Sequence, residues 1–590
     1  MSKNRIHSFI LLSLLLFMGC ERIKQIASNI GTGIINLGFD DMIYITSTNE
    51  ISERTHLQLS ERLGVTGSTL YSFLTILQNN RIPQDHLDET LHLIVGHYKS
   101  LLEKLNKIES KKPIIQSIKS QANNALKEGE FSQAEDFLKQ GLEIETKDKN
   151  TNSALVGALL QACLGDLKLA RLNYKEGILD YQNAIKLLPK EDKEWEKSFL
   201  VQVGDLYNNI GNYKDGLSFF KKALSFYKSE GDKIMQANIY NKIGKSYHGL
   251  NEIQNGKESF QNSIKLMEEL EKEQKTNVEF ATNYFYTGSF YHDIGECKAA
   301  IPFYDKAISL LQKMGKEGKA DIAKNYSSIG ICYYILIDPQ KAIESFTKSQ
   351  KINKELYGEN HPNIAISYHQ IGNVYFFQKD FKNAIEYYNR SIELLKVLFN
   401  DRNSNIAISY YSLGLAYYEL KDYEKSLENF RNSLNIKYKI LPENHPELAQ
   451  GLSSIGQVYK SMKEYDKSIE FYNLAAETYT NSENTKSDDL ANIYMELGVL
   501  YLSKKDNKQA IDFYTKVLNI KKNLKKESEE ISQIYSTLGD IYLTIDDLKN
   551  AKVMYENGLK IQKKITDGDN KYLQILENKY KETIKKLEQK

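Results

Sequence analysis

The 590-residue chain has little of what usually makes a catalytic or nucleic-acid-binding protein: four cysteines, one tryptophan, eight prolines and ten histidines. It also has almost no net charge, with 78 Lys and Arg against 77 Asp and Glu, or +1. A balanced chain offers no general attraction to nucleic acid or to anionic lipid. Cys163, Cys297 and Cys332 share no C-x-x-C spacing, so neither a disulfide framework nor a linear metal-ligand pattern is expected, and each reads as a small buried hydrophobe. No GxSxG, HExxH, phosphate loop or glycine-rich dinucleotide fingerprint is present. No catalytic residue, cofactor or metal is therefore expected.

What the chain has in quantity is tyrosine, 40 residues of it, and a repeat that accounts for them. Gly204, Gly244, Gly288, Gly330, Gly372, Gly414, Gly456, Gly498 and Gly539 recur at intervals of 40, 44, 42, 42, 42, 42, 42 and 41. Three residues after each stands a tyrosine, as in Tyr333, Tyr375 and Tyr417. Twelve after stands a small residue, such as Ala342, Ala384 or Ser426, and sixteen after an aromatic, such as Phe346, Tyr388 or Phe430. A period in this range marks a solenoid. Glycine inside a helix costs about 1 kcal/mol relative to alanine. The small columns are expected to offset that by letting two helices approach, with the aromatic filling the space beside them.

The columns resemble the tetratricopeptide repeat: glycine, tyrosine three on, small twelve on, aromatic sixteen on, small nineteen on. In the last column Val517 is the misfit. The family period is about 34 residues, so a period of 42 predicts each helix about one turn longer, in the manner of the kinesin light chain type. Two loops that end in Asn-His-Pro, with Pro362 and Pro446 at the first helical turn, fit that type as well. Weaker units anchored at Ala122 and Gly165 bring the count to about eleven. The resemblance implies an all-α, right-handed superhelical solenoid over residues 115–567.

The ends differ from the array. Lys3 and Arg5 precede an apolar run, Phe9 to Phe17, too short for an ordinary spanning helix, and Leu16-Phe17-Met18-Gly19-Cys20 follows. This resembles a bacterial lipoprotein signal at residues 1–20, with lipid on Cys20 as a membrane anchor, although Phe17 and Met18 are bulkier than that pattern. Residues 21–52 read as a tether and 53–110 as a helical segment capping the first unit. Leu59 to Leu77, with Gly64 in the turn, resembles a helix-turn-helix. Its few basic residues, and an anchor outside the cytoplasm, argue against DNA binding. Residues 570–590 form an amphipathic helix with a stripe of Tyr572, Leu576, Tyr580, Ile584 and Leu587, a C-terminal cap.

The resemblance further implies that the first helix of each unit lines an inner groove, through positions three before, one after and four after the glycine. These include Phe285, His292, Tyr334, His369, Asn373, Phe376, Tyr411 and Tyr418. An aromatic groove is an anchor for a protein or peptide ligand. The two-Asn, two-Lys clamp of some family members is not assembled. His248 and His292, both four after a glycine, are expected side by side and facing solvent. The expected function is a lipid-anchored, non-enzymatic scaffold of a bacterial envelope. The alternatives are a structural assembly element using its whole surface, or a cytoplasmic regulator.

Overall fold

The computed structural model describes residues 53–80, 82, 87–148, 150–273, 279–399, 403–481, 488–523, 528–566 and 570–589. The signal, Cys20 and the tether lie outside the described residues. Among these there are 26 α-helices and no strand. Three helices, Glu53–Leu63, Gly67–Asn79 and Leu87–Lys107, come first. Eleven sequential pairs follow, from Pro113–Lys127 with Phe131–Thr146 to Glu529–Thr544 with Leu548–Ile565, and Lys571–Gln589 closes the chain. The array is the tandem-hairpin solenoid that the repeat columns imply.

The hairpin is made by a three-residue link, such as Leu336, Ile337 and Asp338. After Lys319–Ile335, Ile337 adopts φ +62°. Its N–H donates to the Tyr334 carbonyl at 3.2 Å, and the next N–H, of Asp338, donates to the Tyr333 carbonyl at 2.9 Å. These two bonds satisfy the last carbonyls of the first helix. The Asp338 carboxylate then accepts from the Lys341 N–H at 3.2 Å and so caps the second helix, Pro339–Tyr357. The same left-handed residue falls seven after the anchor in every pair: Gly129, Leu172, Gly211, Asn251, Gly295, Ile337, Lys379, Lys421, Lys463, Lys505 and Asp546.

The anchor glycine is required by the ring sixteen residues on. A Cβ at Gly204 would lie 2.6 Å from the Phe220 ring, at Gly330 2.6 Å from Phe346, and at Gly414 2.8 Å from Phe430. The rings themselves are buried, so the close helix approach and the aromatic column are one contact. Where the small column is serine, its hydroxyl adds a bond to the glycine carbonyl: Ser426 to Gly414 and Ser468 to Gly456, each 2.8 Å. The Asn-His-Pro loops work as expected. His361 caps Pro362–Phe377 by accepting the Asn363 N–H on Nδ1 at 3.1 Å, and His445 accepts the Glu447 N–H at 3.3 Å.

The described chain falls into two compact units, one reaching Gln378 with Glu393–Asn400 added, the other Lys379–Ile392 with Asp401–Lys590. In the first, the helix Thr151–Ala170 is apolar on all sides and packs against Leu87–Lys107, Phe131–Thr146 and Tyr174–Leu187. Among the described residues it alone is long and apolar enough to cross a membrane, and 83% of its most apolar stretch is buried, as in a core helix. Two helices, Glu53–Leu63 and Gly67–Asn79, flank a link that holds Gly64 at φ +65°. The second of these helices is committed to packing: Leu70, Phe73, Leu74 and Leu77 are buried. Thr69 donates to the Leu126 carbonyl and Ser72 to the Gly129 carbonyl, both at 2.9 Å. A Cβ at Gly129 would lie 2.6 Å from the Ser68 carbonyl oxygen, so glycine is needed where that helix crosses. In the second unit, Lys571–Gln589 buries Leu576 against Ala551, Tyr555 and Leu559, and Lys579 pairs with Asp540 at 2.7 Å.

Candidate functional site

The face formed by the first helices divides into an enclosed layer and a half-buried one. In the first unit, polar side chains bridge one first helix to the next. Asn208 donates to Ser246 Oγ at 2.9 Å, Asn241 to the Asn283 carbonyl at 3.0 Å, and Asn283 to Asn238 Oδ1 at 2.6 Å. Lys242 Nζ sits 2.7 and 2.8 Å from the two oxygens of Asp205, a buried ion pair. Burial raises the Asp205 carboxyl, opposed by Lys242. Burial, with the Lys242 ammonium beside it, pushes Lys245 well below the usual lysine range. Bonds of this kind satisfy buried polar groups between neighbouring first helices.

The expected groove residues separate accordingly. His369 is 1% exposed and Tyr411 5%, and Tyr334 is also buried. These three support the face from beneath rather than presenting a ring to solvent. The reason is packing across the repeat: Tyr334 meets Phe377 edge-on at 5.7 Å, and Tyr411 packs on Phe430 at 5.2 Å. The Tyr411 hydroxyl also bonds Ser454 Oγ at 2.9 Å, on the next first helix. Burial alone holds the His369 imidazole down at about 3, and burial, opposed by hydrogen bonds to Ser454 and Gln450, pushes Tyr411 up to about 12. Phe285, Asn373, Phe376 and Tyr418 are half-buried. Phe285 carries the Lys324 ammonium over its ring at 4.3 Å. Ser327 and Gln370 bond at 3.3 Å in the same unit. Tyr418 is tied to Ser461 at 2.8 Å and accepts from Gln457 at 3.2 Å.

His248 and His292 lie near each other as expected, but His292 does not face solvent: only 9% of its side chain is exposed. The Asp293 carboxylate stands between them, 3.4 Å from His292 Nδ1 and 3.9 Å from His248 Nδ1. Folding also brings His292 to Cys297 and Cys332, with one ligand atom from each within 4.8 Å of the others. Linear spacing gave no sign of this group. A hydrogen bond from the Cys332 thiol holds Cys297 below the usual thiol range, against the opposing effect of burial. The same contact drives Cys332 upward.

A tandem array of helical hairpins, each packed on the next, defines a class, the helical-repeat scaffolds, which as a rule present an extended surface to other proteins. Within that class the chain carries tetratricopeptide repeats. A sequence model described as "Tetratricopeptide repeat" matches residues 321–396, 363–439, 405–481, 447–523 and 489–564, and a second with the same description matches 237–268. No curated protein matches the chain by sequence. Solved structures similar to it include the apo form of RapI, 16% identical, covering 66% of this chain and 98% of that one with TM-score 0.41. BtubC (BKLC) from P. vanneervenii is 15% identical, covering 39% and 92% with TM-score 0.36. A Signal Transduction ATPase with Numerous Domains protein with a tetratricopeptide repeat sensor, from Pyrococcus horikoshii, is 12% identical, covering 72% and 74% with TM-score 0.42.

Proposed function

We propose that this chain is a non-enzymatic scaffold, held at a bacterial cell envelope by lipid on Cys20, that binds a protein or peptide partner through its first-helix face. The observation that carries this reading is the half-buried layer of the first unit, where Phe285 and Phe376 stand with Asn373 and the Ser327–Gln370 pair on one repeated face. Aromatic rings set among hydrogen-bonding groups are what binding hot spots are made of. The enclosed residues beneath hold that layer in place and so reduce the ordering that binding would cost. The near-neutral charge, and the packing of Gly67–Asn79 onto the first pair, favour a protein partner over nucleic acid.

Crosslinking in the native cell, followed by identification of bound proteins, tests the face. The double variant Phe285→Ala, Phe376→Ala should lose partners that the unaltered chain recovers, at unchanged helical content; equal recovery of every partner overturns the assignment. Should deletion of several pairs alter envelope assembly while no face substitution does, the chain is a structural element instead. Labelled palmitate should appear on the chain and vanish in Cys20→Ala. A chain without label has no lipid anchor, and the cytoplasmic regulator becomes the better reading.

A further inference from the structure

His292, Cys297 and Cys332 come from three successive helices, and the hairpin turn places them. His292 lies at the end of Glu279–Asp293, Cys297 opens Cys297–Gln312, and Cys332 sits in Lys319–Ile335. The turn between the first two is closed by Gly295 at φ +81° and by the Glu296 N–H donating to the Tyr291 carbonyl at 2.8 Å. That turn folds His292 and Cys297 back toward each other across five residues. Cys297–Gln312 packs on Lys319–Ile335, which delivers Cys332 from the next pair.

The other pairs serve as internal controls. The same three positions, four and nine after one anchor and two after the next, hold Asn208, Tyr213 and Ser246 in one unit and His248, Ile253 and Phe290 in the following one. Further along they hold Tyr418, Tyr423 and Val458, then Lys460, Tyr465 and Leu500. Packing at this junction is thus satisfied by many side chains and does not call for sulfur. Only once does the array place an imidazole and two thiols there, and there their ligand atoms converge within 4.8 Å. Cys297 is 1% exposed and Cys332 0%.

We propose that His292, Cys297 and Cys332 form a binding site for a thiophilic divalent cation, zinc in the first instance, which clasps two neighbouring hairpins together. Tetrahedral zinc with thiolate and imidazole ligands sets its donor atoms about 3.6–3.8 Å apart, so the side chains need to close by roughly 1 Å. A three-ligand site keeps a fourth position for water or for a nearby carboxylate. Asp293, 3.4 Å from His292 Nδ1, is placed either to fill it or to orient the imidazole, as carboxylates beside metal-bound histidines do. Two sulfurs and one nitrogen favour zinc over magnesium or calcium, which take oxygen.

The test uses the full chain, reduced and stripped of metal, titrated with cobalt(II) and then zinc. The expected result is one cobalt per chain with an intense near-ultraviolet thiolate-to-cobalt band, displaced stoichiometrically by zinc, and a zinc-dependent rise in melting temperature. Cys332→Val and Cys297→Ile borrow the apolar residue types that other units hold at these positions, so they should fold. Each should weaken zinc binding at least a hundredfold and abolish the thermal shift. A reduced chain that gives no thiolate band overturns the site. So does a zinc-induced shift that survives both variants, or a Cys297–Cys332 disulfide whose reduction restores no metal uptake.

Discussion

In the first unit the first-helix face is held by amides and charges: Asn208, Asn241 and Asn283 bridge successive helices, and Lys242 neutralises Asp205. In the second it is held mainly by phenols and hydroxyls, with a half-buried ion pair, Lys460 to Glu496, between two of its first helices. Tyr411 bonds Ser454, Tyr418 bonds Ser461, and Tyr472 donates to Gln457 at 2.9 Å. Beneath both runs the same contact between an anchor glycine and the ring sixteen residues on. The contrast teaches that the fold rests on that contact, while the chemistry of the face is free to change from unit to unit. It also predicts unequal fragility. A buried ion pair fails badly when one partner is removed, because the other is left charged and enclosed. A hydroxyl pair loses one bond.

The largest expected difference follows from that. Asp205→Asn strands Lys242 and should destabilise the first unit by about 3–5 kcal/mol, read as faster amide exchange in Lys193–Asn209 and Lys233–Gly249. Tyr411→Phe in the second unit should cost about 1 kcal/mol, since Ser454 keeps its bond to the Gln450 carbonyl at 3.0 Å. Equal effects would erase the distinction between the two faces.

Acid should separate the units next. Burial, as the largest cause, holds His97 down at about 4 and His361 and His369 at about 3, and all three belong to the first unit. The unfolded chain protonates these near pH 6.5 while the folded unit does not. The stability they leave intact above pH 6.5 is therefore lost as pH falls toward 4 and then 3, at about 1.4 kcal/mol per pH unit for each. Exchange or melting compared at pH 7 and pH 5 should show the first unit loosening more. Parallel loss in both units would sink this account.

The smallest effect concerns the turns. Lys463→Gly in the second unit relieves a left-handed backbone at φ +64° and should stabilise by a few tenths to about 1 kcal/mol. Gly211→Ala in the first, at φ +78° with nothing within 4 Å of the added Cβ, should lose a similar amount through the backbone alone. Differential scanning calorimetry of the two variants resolves the opposite signs.

The eleven pairs, the anchor glycines and the ring column were legible in the sequence because the repeats align with one another. The turn residue was not, because Lys379, Lys421, Lys463 and Lys505 occupy a left-handed position that carries no glycine to announce it. Spacing from the anchor placed His369 and Tyr411 on the correct helices. Their enclosure depends on neighbouring elements, such as the Ser454-bearing helix beside Tyr411, and helical periodicity does not report that. His292, Cys297 and Cys332 escaped notice because their nearness is made by a turn and by the stacking of the next pair, across 5 and 35 residues of chain.

One residue per hairpin ends the first helix and starts the second, as Asp338 does by bonding Tyr333 and capping onto Lys341. Such a joint has no slack: a single inserted residue would swing the second helix by about 100° and pull the ring off its glycine. The interval from glycine to ring is accordingly sixteen in all nine units, while the distance from one glycine to the next drifts between 40 and 44. The length differences among the nine repeats therefore lie between the ring of one and the glycine of the next, in the ends of the second helices, the starts of the first helices that follow and the links between them. Those links are where new sequence, and with it new specificity, can be added without disturbing the scaffold.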